Sequence, residues 1–322
     1  MRRQLAALLF AAALLTPAAC GTTNQPSAPP PAGQPDKVNV GVIAILDVAP
    51  IYLGKQKGFF ASRNIDLTLT TAQGGAVIVP GVQGGQFQFG FSNVISLLLA
   101  QSQNLPLKIV CNGNNSTGVD GQDFGSLMVK GDSPITSAKE LEGKKVAINT
   151  LRNIAETVVR ASVKKAGGDA SKVQFVEMPF PNMAAALQSG QVDAAFPVEP
   201  FQTAIRDAGG KSIASSWVDA APNLTVAAYF TSTQTMETRK DLVDRFTAAM
   251  KESLAYADSH PDEARQIITT YTQITAAQVA KLTLPKWPAE INRDSLQKLA
   301  ELAMADGLLK AQPDLNALLP SA

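Results

Sequence analysis

The sequence predicts an α/β protein of two Rossmann-like lobes that are joined by a two-strand hinge. Strand-like and helix-like segments alternate from residue 38 onward, which is the pattern of α/β folds with mostly parallel sheets. The ten residues VQGGQFQFGF at 82–91 recur as LQSGQVDAAF at 187–196, with four identities. Strand-like segments at 124–130 and 225–233 flank the second copy, so we expect the chain to cross between the lobes twice.

The first copy begins with VNVGVIAI (38–45), a nearly unbroken apolar run that suits a strand covered on both faces. IYLGKQKGFFA (51–61) suits a helix packed on that strand, and IDLTLTTA (65–72) alternates as a second strand does. A glycine pair at 74–75 then leads into a helix and the strand FQFGFS (87–92). These elements form one half of the predicted repeat.

The second copy repeats this order at an offset of about 105 residues. Its predicted elements are the strand 144–149, the helix 154–168, the strand 173–179, the helix 182–191 and the strand 192–197. In both copies a short helix ends at a glycine, Gly85 or Gly190, which suits a left-handed residue after a helix. We expect residues 37–125 and 229–322 to form lobe 1 and residues 126–228 to form lobe 2, with helical stretches after 240 packing on lobe 1.

The N-terminus predicts export. Two arginines at 2–3 precede an apolar stretch at 5–15, which is too short to span a bilayer and is typical of a signal peptide over residues 1–19. PAAC at 17–20 resembles the lipobox of bacterial lipoproteins, with Pro17 where Leu, Val or Ile is usual. We expect Cys20 to carry lipid and residues 20–36 to form a loose tether; ordinary cleavage before the cysteine is the alternative.

Composition excludes several classes of protein. Basic and acidic residues number 28 and 27 and are interleaved, so nucleic acid is not an expected partner. Cys111 has no partner if Cys20 is lipidated, and we expect a buried thiol without a disulfide. Neither a cofactor motif nor metal-ligand spacing is present in the sequence. The single histidine, His260, precedes a helix start at Pro261, so we expect no enzyme and no cofactor.

The ligand site is predicted from the loops at the carboxyl ends of the strands, where helix N-termini offer free N–H groups. Asn115 joins it because NGNNSTG (112–118) is polar and next to the hinge, and Tyr229 because it lies on the returning strand. The candidate residues are Asp47, Val48, Gly74, Gly75, Ala76, Ser92, Asn93, Asn115, Thr150, Leu151, Arg152, Asn153, Glu199 and Tyr229.

Each candidate also has a structural interpretation. The glycine pair at 74–75 either forms a turn or donates backbone N–H groups to a ligand. Ser92 and Asn93 cap a helix, a role that still points their N–H groups into the cleft. Arg152, the only cation on these loops, either pairs with a carboxylate or sulfonate or is solvated. Asp47 meets an amine or caps a helix, and Glu199 bridges the lobes or supports the turn that follows it.

The motifs APIYLGKQKGFFASRNIDLTLTTAQGG, VQGGQFQFGFSN and MAAALQSGQVDAAFPVEPF resemble the substrate-binding proteins of ABC importers for nitrate, taurine, alkanesulfonates and thiamine pyrimidine precursors. The resemblance covers residue 38 to about 223. It implies a type II periplasmic-binding-protein fold that encloses a small molecule by hinge closure, with ABC permease and ATPase subunits as partners. Gln88 departs from the usual Asp, which Asp193 keeps in the second copy, so we expect a lost hydrogen bond in lobe 1.

The sequence and the resemblance together predict a monomeric, lipid-anchored solute receptor outside the cytoplasm, in the periplasm or on the outer face of the cell membrane. A sulfonate or an aromatic or alkyl carboxylate is the first expected ligand, held by Arg152 and by backbone N–H groups. A neutral aminopyrimidine is the second, and it is favoured if Asp47 faces the cleft and Arg152 does not. A pyrimidine-synthase-like enzyme would need His260 near the cleft, and a sensor lipoprotein without transport remains open.

Overall fold

The computed structural model describes residues 33–320 and contains two five-stranded sheets. In chain order the strands are β1 (Asp36–Val42), β2 (Ile65–Thr71), β3 (Phe89–Asn93), β4 (Leu107–Asn115), β5 (Leu127–Val129), β6 (Lys145–Ile148), β7 (Gln174–Glu177), β8 (Ala194–Ala195), β9 (Lys211–Ala214) and β10 (Thr225–Ser232). Strands β1 to β4 with β10 form lobe 1, and β5 to β9 form lobe 2. The predicted two-lobed α/β fold is confirmed.

Helices cover both sheets. They are α1 (Ala49–Gln56), α2 (Gly75–Gln83), α3 (Val94–Ser102), α4 (Ile154–Lys165), α5 (Met183–Gln188), α6 (Phe201–Asp207), α7 (Ser216–Ala220), α8 (Thr233–Thr238), α9 (Lys240–Ser259), α10 (Pro261–Gln266), α11 (Ala276–Val279), α12 (Arg293–Ala305) and α13 (Leu315–Leu318). Within residues 33–320, no helix combines the length and apolar character needed to cross a membrane.

The two sheets share one topology. Lobe 1 has the order β2-β1-β3-β10-β4, and lobe 2 has β7-β6-β8-β5-β9. Four strands of each sheet run in the same direction, and β10 or β5 is inserted antiparallel between the third and the fourth. Because β10 returns from lobe 2 and β5 follows the first crossing, the two inserted strands accompany the two chain crossings that the sequence predicts.

The repeat has a local geometry that is nearly the same in both lobes. Gly85 and Gly190 follow α2 and α5 with φ of 73° and 72°, a left-handed backbone that favours glycine. Asp193 Oδ2 accepts the backbone N–H of Lys145 at 2.8 Å. Gln88 Oε1 accepts the corresponding N–H of Asn39 at 2.8 Å. The expectation that Gln88 loses this bond is therefore wrong, because an amide oxygen accepts it as a carboxylate does.

The expected limits of the lobes shift at two places. Asp36 begins β1 instead of ending the tether, and its buried carboxylate pairs with Arg239 and, at 2.6 Å, with Arg245. β10 begins at Thr225 and pairs along its length within lobe 1, so a boundary at 228 would cut a strand. The division of the chain remains a proposal, with the second crossing before Thr225. The signal peptide, Cys20 and the tether up to residue 32 lie outside the described residues.

The C-terminal helices connect the lobes as well as covering lobe 1. Helix α9 packs on α1, whereas α12 contacts α3 in lobe 1 and both α4 and α7 in lobe 2. Cys111 is a buried thiol within β4, as predicted. His260 is exposed at the end of α9, where its ring stacks on Tyr256 with centroids 3.9 Å apart. The histidine therefore lies on an outer helix, which is where the sequence places it.

Candidate functional site

A small cavity lies between the lobes and is lined by residues of both. Its volume is about 40 Å³, which is room for about three water molecules. The polar lining residues are Asp47 and Asn93 from lobe 1 and Asn149 and Asn153 from lobe 2, and the aromatic ones are Phe91, Phe180, Phe196 and Trp217. The other lining residues are aliphatic, and none of those described is Lys or Arg. Both lobes therefore contribute to one small, largely apolar site.

The strand order brings these residues together. The carboxyl ends of parallel strands meet at one edge of a sheet, and in both lobes this edge faces the cavity. Asn93 is the N-cap of α3, with its Oδ1 accepting the Ser96 N–H at 2.9 Å. Asn153 is the N-cap of α4, with its Oδ1 accepting the Ala155 N–H at 3.0 Å. Two asparagine-capped helix starts thus face one another across the cavity.

Asp47 is the only acidic residue among the described lining residues. It lies in a 3-10 turn between β1 and α1 and is 3% exposed. Its Oδ2 accepts Asn114 Nδ2–H at 2.9 Å, whereas its Oδ1 is buried without a hydrogen-bond partner. Burial raises the pKa of this carboxyl to about 7, opposed by its own backbone and by Asn114. No cation contributes to that pKa.

The glycine pair lies where the two lobes approach each other. A Cβ on Gly74 would lie 2.7 Å from Oγ1 of Thr150, across the cleft in lobe 2. A Cβ on Gly75 would lie 2.0 Å from Oγ of Ser92, a separation that heavy atoms do not adopt. Glycine is therefore required at 75 by the contact of α2 with β3. Ala76 is exposed on α2, and Val48 is fully buried in the core of lobe 1.

Arg152 does not line the cavity, which corrects its predicted place at the ligand. Its backbone is left-handed, with φ of 54°, and its Nη2 donates to the carbonyl of Leu308 at 3.3 Å. There it lines a separate surface pocket of about 600 Å³ together with Lys310. The side chain thus joins lobe 2 to the C-terminal segment instead of presenting a positive charge to a solute.

Backbone N–H groups of the same loop are already used. Leu151, whose side chain is exposed, donates its N–H to Glu177 Oε2 at 2.9 Å. The N–H of Arg152 donates to Glu156 Oε2 at 2.9 Å. Two carboxylates of the protein therefore occupy the donors that a ligand anion would need.

Tyr229 is buried and is not among the residues that line the cavity, in contrast to its predicted place at the ligand. It is 1% exposed and lies between the rings of Phe91 and Phe246, at centroid distances of 5.2 and 6.3 Å. Burial raises the pKa of its hydroxyl well above the usual value, and this hydroxyl has no hydrogen-bond partner. The ring is part of the packing between β10 and α9.

Asn115 supports the hinge and does not line the cavity. Its Oδ1 accepts from Asn112 Nδ2 at 3.0 Å and from the Thr225 hydroxyl at 3.1 Å, and its Nδ2 donates to the Asn223 carbonyl at 3.3 Å. These bonds connect the end of β4 to the start of β10. Asn115 therefore joins the point where the chain leaves lobe 1, at the end of β4, to the point where it returns, at the start of β10.

Glu199 bridges the lobes and also holds the turn that follows it. Its side chain is fully buried, and its Oε1 accepts the N–H of Thr283 at 3.3 Å while its Oε2 accepts that of Thr203 at 3.0 Å. Its backbone carbonyl accepts the Leu46 N–H at 3.0 Å, which links lobe 2 to the turn that carries Asp47. Both predicted roles of Glu199 are present, and neither requires a ligand contact.

Two lining residues, Asn149 and Trp217, and Asn114, which contacts the lining residue Asp47, were not among the predicted residues. Asn149 ends the strand segment KKVAIN, so the strand-end rule that selected Thr150 could have included it. Asn114 belongs to the hinge segment NGNNSTG, but the sequence does not show which of its asparagines contacts Asp47. Trp217 lies on α7, three residues after the end of β9, a strand that was not predicted. Within residues 33–320, no group of three or more His, Cys, Asp or Glu could hold a metal ion.

Comparison with known proteins gives the same fold. The alkanesulfonate-binding protein SsuA of Xanthomonas axonopodis pv. citri, solved bound to MOPS, aligns with a TM-score of 0.75 and 17% identity over 90% of this chain and all of that one. The nitrate-binding protein NrtA of Synechocystis PCC 6803 aligns with a TM-score of 0.74 and 13% identity over 88% of this chain and 84% of that one. At these identities the likeness shows the fold, which is that of periplasmic binding proteins.

Sequence comparison identifies the family. A protein of Brucella abortus (strain 2308), provisionally named as a binding protein, is 21% identical over 266 residues, which are 82% of this chain and 79% of that protein. The family model described as NMT1/THI5 like matches residues 46–264, about two thirds of the chain. The matched range includes both ten-residue segments, 82–91 and 187–196, and every described residue that lines the cavity except Ile43 and Ile45. The chain therefore belongs to the NMT1/THI5-like family.

Proposed function

We propose that this protein is the extracytoplasmic solute-binding component of an ABC importer, which captures a small organic molecule between its lobes and delivers it to a permease. The observation that supports this most directly is the small cavity lined by the strand ends of both lobes. In a fold with two chain crossings, a solute that contacts both lobes stabilises the closed arrangement. The named structural relatives are binding proteins for alkanesulfonate and nitrate.

The lining supports the second of the two expected ligand classes. An organic anion was expected to pair with Arg152, whose guanidinium lies outside the cavity, and none of the described lining residues is a cation. The unpartnered oxygen of Asp47 instead needs a hydrogen-bond donor. We therefore propose a small, mostly apolar or aromatic solute that carries N–H groups, with an aminopyrimidine as the reference compound. The outer position of His260 offers no support for an enzyme in this cleft.

The partners and location follow from the same proposal. A lipid on Cys20 would hold the domain close to the membrane through the tether, at high effective concentration for the permease and its ATPase. The monomer would be the working form, because one chain supplies both walls of the cavity. Mass spectrometry of the protein isolated from membranes tests the anchor. An N-terminal peptide that begins at Cys20 without lipid would contradict it.

Solute capture is testable with the two tryptophans, Trp217 on the cavity wall and Trp287 behind Asp47. We would screen sulfonates, carboxylates and aminopyrimidines by thermal shift and then titrate each hit into Trp287→Phe and Trp217→Phe variants. A solute in the cavity changes the emission of the variant that keeps Trp217 and has a much smaller effect on the other. A solute that stabilises the protein without changing Trp217 emission binds elsewhere, and this result would contradict the proposal.

A further inference from the structure

We propose that Asp47 makes the interlobe cavity selective for organic cations whose positive charge is carried on a nitrogen with N–H groups. This inference rests on the proposed function, since it names the chemical class of solute for the same cavity. A consequence is that capture near neutral pH is coupled to proton release. The carboxyl O–H bond of Asp47 breaks, the proton passes to solvent, and the carboxylate pairs with the solute cation.

The first argument is that only one of the two carboxyl oxygens of Asp47 has a hydrogen-bond partner. Asn114 on β4 donates a hydrogen bond to Oδ2 of Asp47, and the Trp287 indole N–H donates to the backbone carbonyl of Asp47 at 3.1 Å. The orientation of the side chain is therefore set before any solute arrives. Oδ1 remains buried without a donor, and buried polar atoms are normally satisfied. A solute N–H is the missing partner, because Asp47 lines the cavity.

The second argument is the absence of a counter-ion among the groups around Asp47. The groups of lobe 1 and the C-terminal segment that act on Asp47 are Asn114, Trp287, the like charge of Asp123, and the hydroxyls of Tyr229 and Tyr271. Lobe 2 contributes neutral Asn149 and Asn153 and the rings of Phe180, Phe196 and Trp217 to the lining. Ring faces attract cations. The described surroundings therefore offer negative or neutral groups, and a cationic solute supplies the charge that they lack.

The third argument is energetic. Burial raises the pKa of Asp47 to about 7, so near neutral pH the carboxyl of the empty site is divided between its acid and its carboxylate. A neutral donor makes one ordinary hydrogen bond, whereas a cation makes a charge-assisted bond to a carboxylate that is only 3% exposed. An anion meets like charge, and the loop N–H groups are held by Glu156 and Glu177. Cations are thus preferred over neutral molecules, and neutral molecules over anions.

The test uses isosteric molecules that differ in charge. Acetamidinium, acetamide and acetate have four non-hydrogen atoms each and suit the small cavity, and benzamidinium, benzamide and benzoate form a ring-sized series that requires the lobes to part. Calorimetric titration of the mature protein is expected to give at least tenfold tighter binding of the cation than of the amide in one series or both, without detectable binding of the acid. From pH 6 to pH 8 the affinity for the cation rises about tenfold, following ionisation of a group with the pKa of Asp47.

Variants separate the charge of Asp47 from its shape. Asp47→Asn is expected to abolish both the cation preference and the pH dependence, and to lower the affinity for the cation at least thirtyfold at pH 8. Asp123→Asn is the matched control, since it removes another buried carboxyl that acts on Asp47, and it should keep the preference. Titrations in buffers of different ionisation enthalpy should show close to one proton released per cation at pH 6. Circular dichroism spectra confirm that each variant is folded.

The outcomes separate the inference from the proposed function. Tighter binding of an amide or acid than of its isosteric cation overturns the inference and leaves solute capture in place. A cation preference that survives Asp47→Asn does the same. If neither series nor the sulfonate, carboxylate and aminopyrimidine screen yields a solute that changes Trp217 emission, both proposals are overturned.

Discussion

The ligand-free protein should lose stability as the pH rises, and Asp47→Asn should remove a defined part of that loss. The carboxyl of Asp47 is 3% exposed, and burial raises its pKa from 3.8 to about 7. Between these two pH values the folded protein binds the proton more tightly than the unfolded chain does. The stabilising effect of the protonated acid is complete below pH 4 and is lost as the pH rises through 7.

The magnitude follows from the width of that window. From pH 5 to pH 7 the unfolded chain holds Asp47 ionised and the folded protein holds it mostly protonated. Two pH units at about 1.4 kcal/mol per unit give about 3 kcal/mol of lost unfolding free energy. Asparagine keeps the size of the side chain and an oxygen that can accept from Asn114, but it cannot ionise. The variant should therefore lack this contribution.

Urea unfolding at pH 5 and pH 8, followed by circular dichroism, measures the effect. The raised pKa values of Asp123 and Glu199 lower the stability of both proteins as the pH rises, so their effects cancel when the wild-type change is compared with that of the variant. The expected difference between the two changes is about 3 kcal/mol. Equal changes in the two proteins would show that the buried carboxyl has an ordinary pKa, and the argument for the charge selectivity of the cavity would lose its energetic basis.

Three further predictions concern the rest of the site and the core. Gly75→Ala places a Cβ 2.0 Å from Oγ of Ser92 and should lower the unfolding free energy by about 1–3 kcal/mol. A Gly75→Ala, Ser92→Gly double variant should recover part of this loss. Unchanged thermal unfolding of Gly75→Ala would contradict the close contact. Arg152→Ala should keep the affinity for any captured solute within about twofold in a calorimetric titration, and a large loss of affinity would show that the guanidinium does contact the solute. Asn153→Ala removes an N-cap and a lining group and should lower the unfolding free energy, measured with urea, by about 1 kcal/mol. In a chain that begins at residue 33, Cys111 should resist iodoacetamide until urea unfolds the protein, because burial raises the pKa of its thiol; rapid labelling of the folded chain would show an open site at β4.

The fold was predictable because it depends on signals that are local in sequence. Runs of buried apolar residues and glycine-terminated helices recur in both copies, and each indicates its element without knowledge of distant contacts. The two crossings followed from strand-like segments on either side of the second copy. The limits that moved, at Asp36 and at Thr225, depend on ion pairs with α9 and on pairing with β3 and β4. Such contacts are not visible in a local pattern.

The strand-end rule selected loops that contribute to the cavity lining, but it did not give the direction of each side chain. Arg152 was the strongest predicted contact because it was the only cation on these loops. Its left-handed backbone turns the side chain toward Leu308, and the carboxylates of Glu156 and Glu177 take the loop N–H groups. A non-glycine residue at positive φ is uncommon, and nothing in the segment NTLRN predicts a left-handed backbone at Arg152. The charge of a residue therefore indicated its chemistry but not the surface on which it acts.

Asp47 shows the complementary case, in which the sequence finds the residue and only the fold determines its chemistry. Its position after β1 was enough to make it a candidate, but an aspartate there serves equally well as a helix cap. Its present state depends on Asn114, 67 residues away, and on Trp287, 240 residues away. These two groups satisfy one carboxyl oxygen and the backbone carbonyl, while burial leaves Oδ1 without a donor. Because removal of water and lack of a counter-ion both come from tertiary packing, the preference for a positively charged solute is a property of the closed cleft and not of the residue alone.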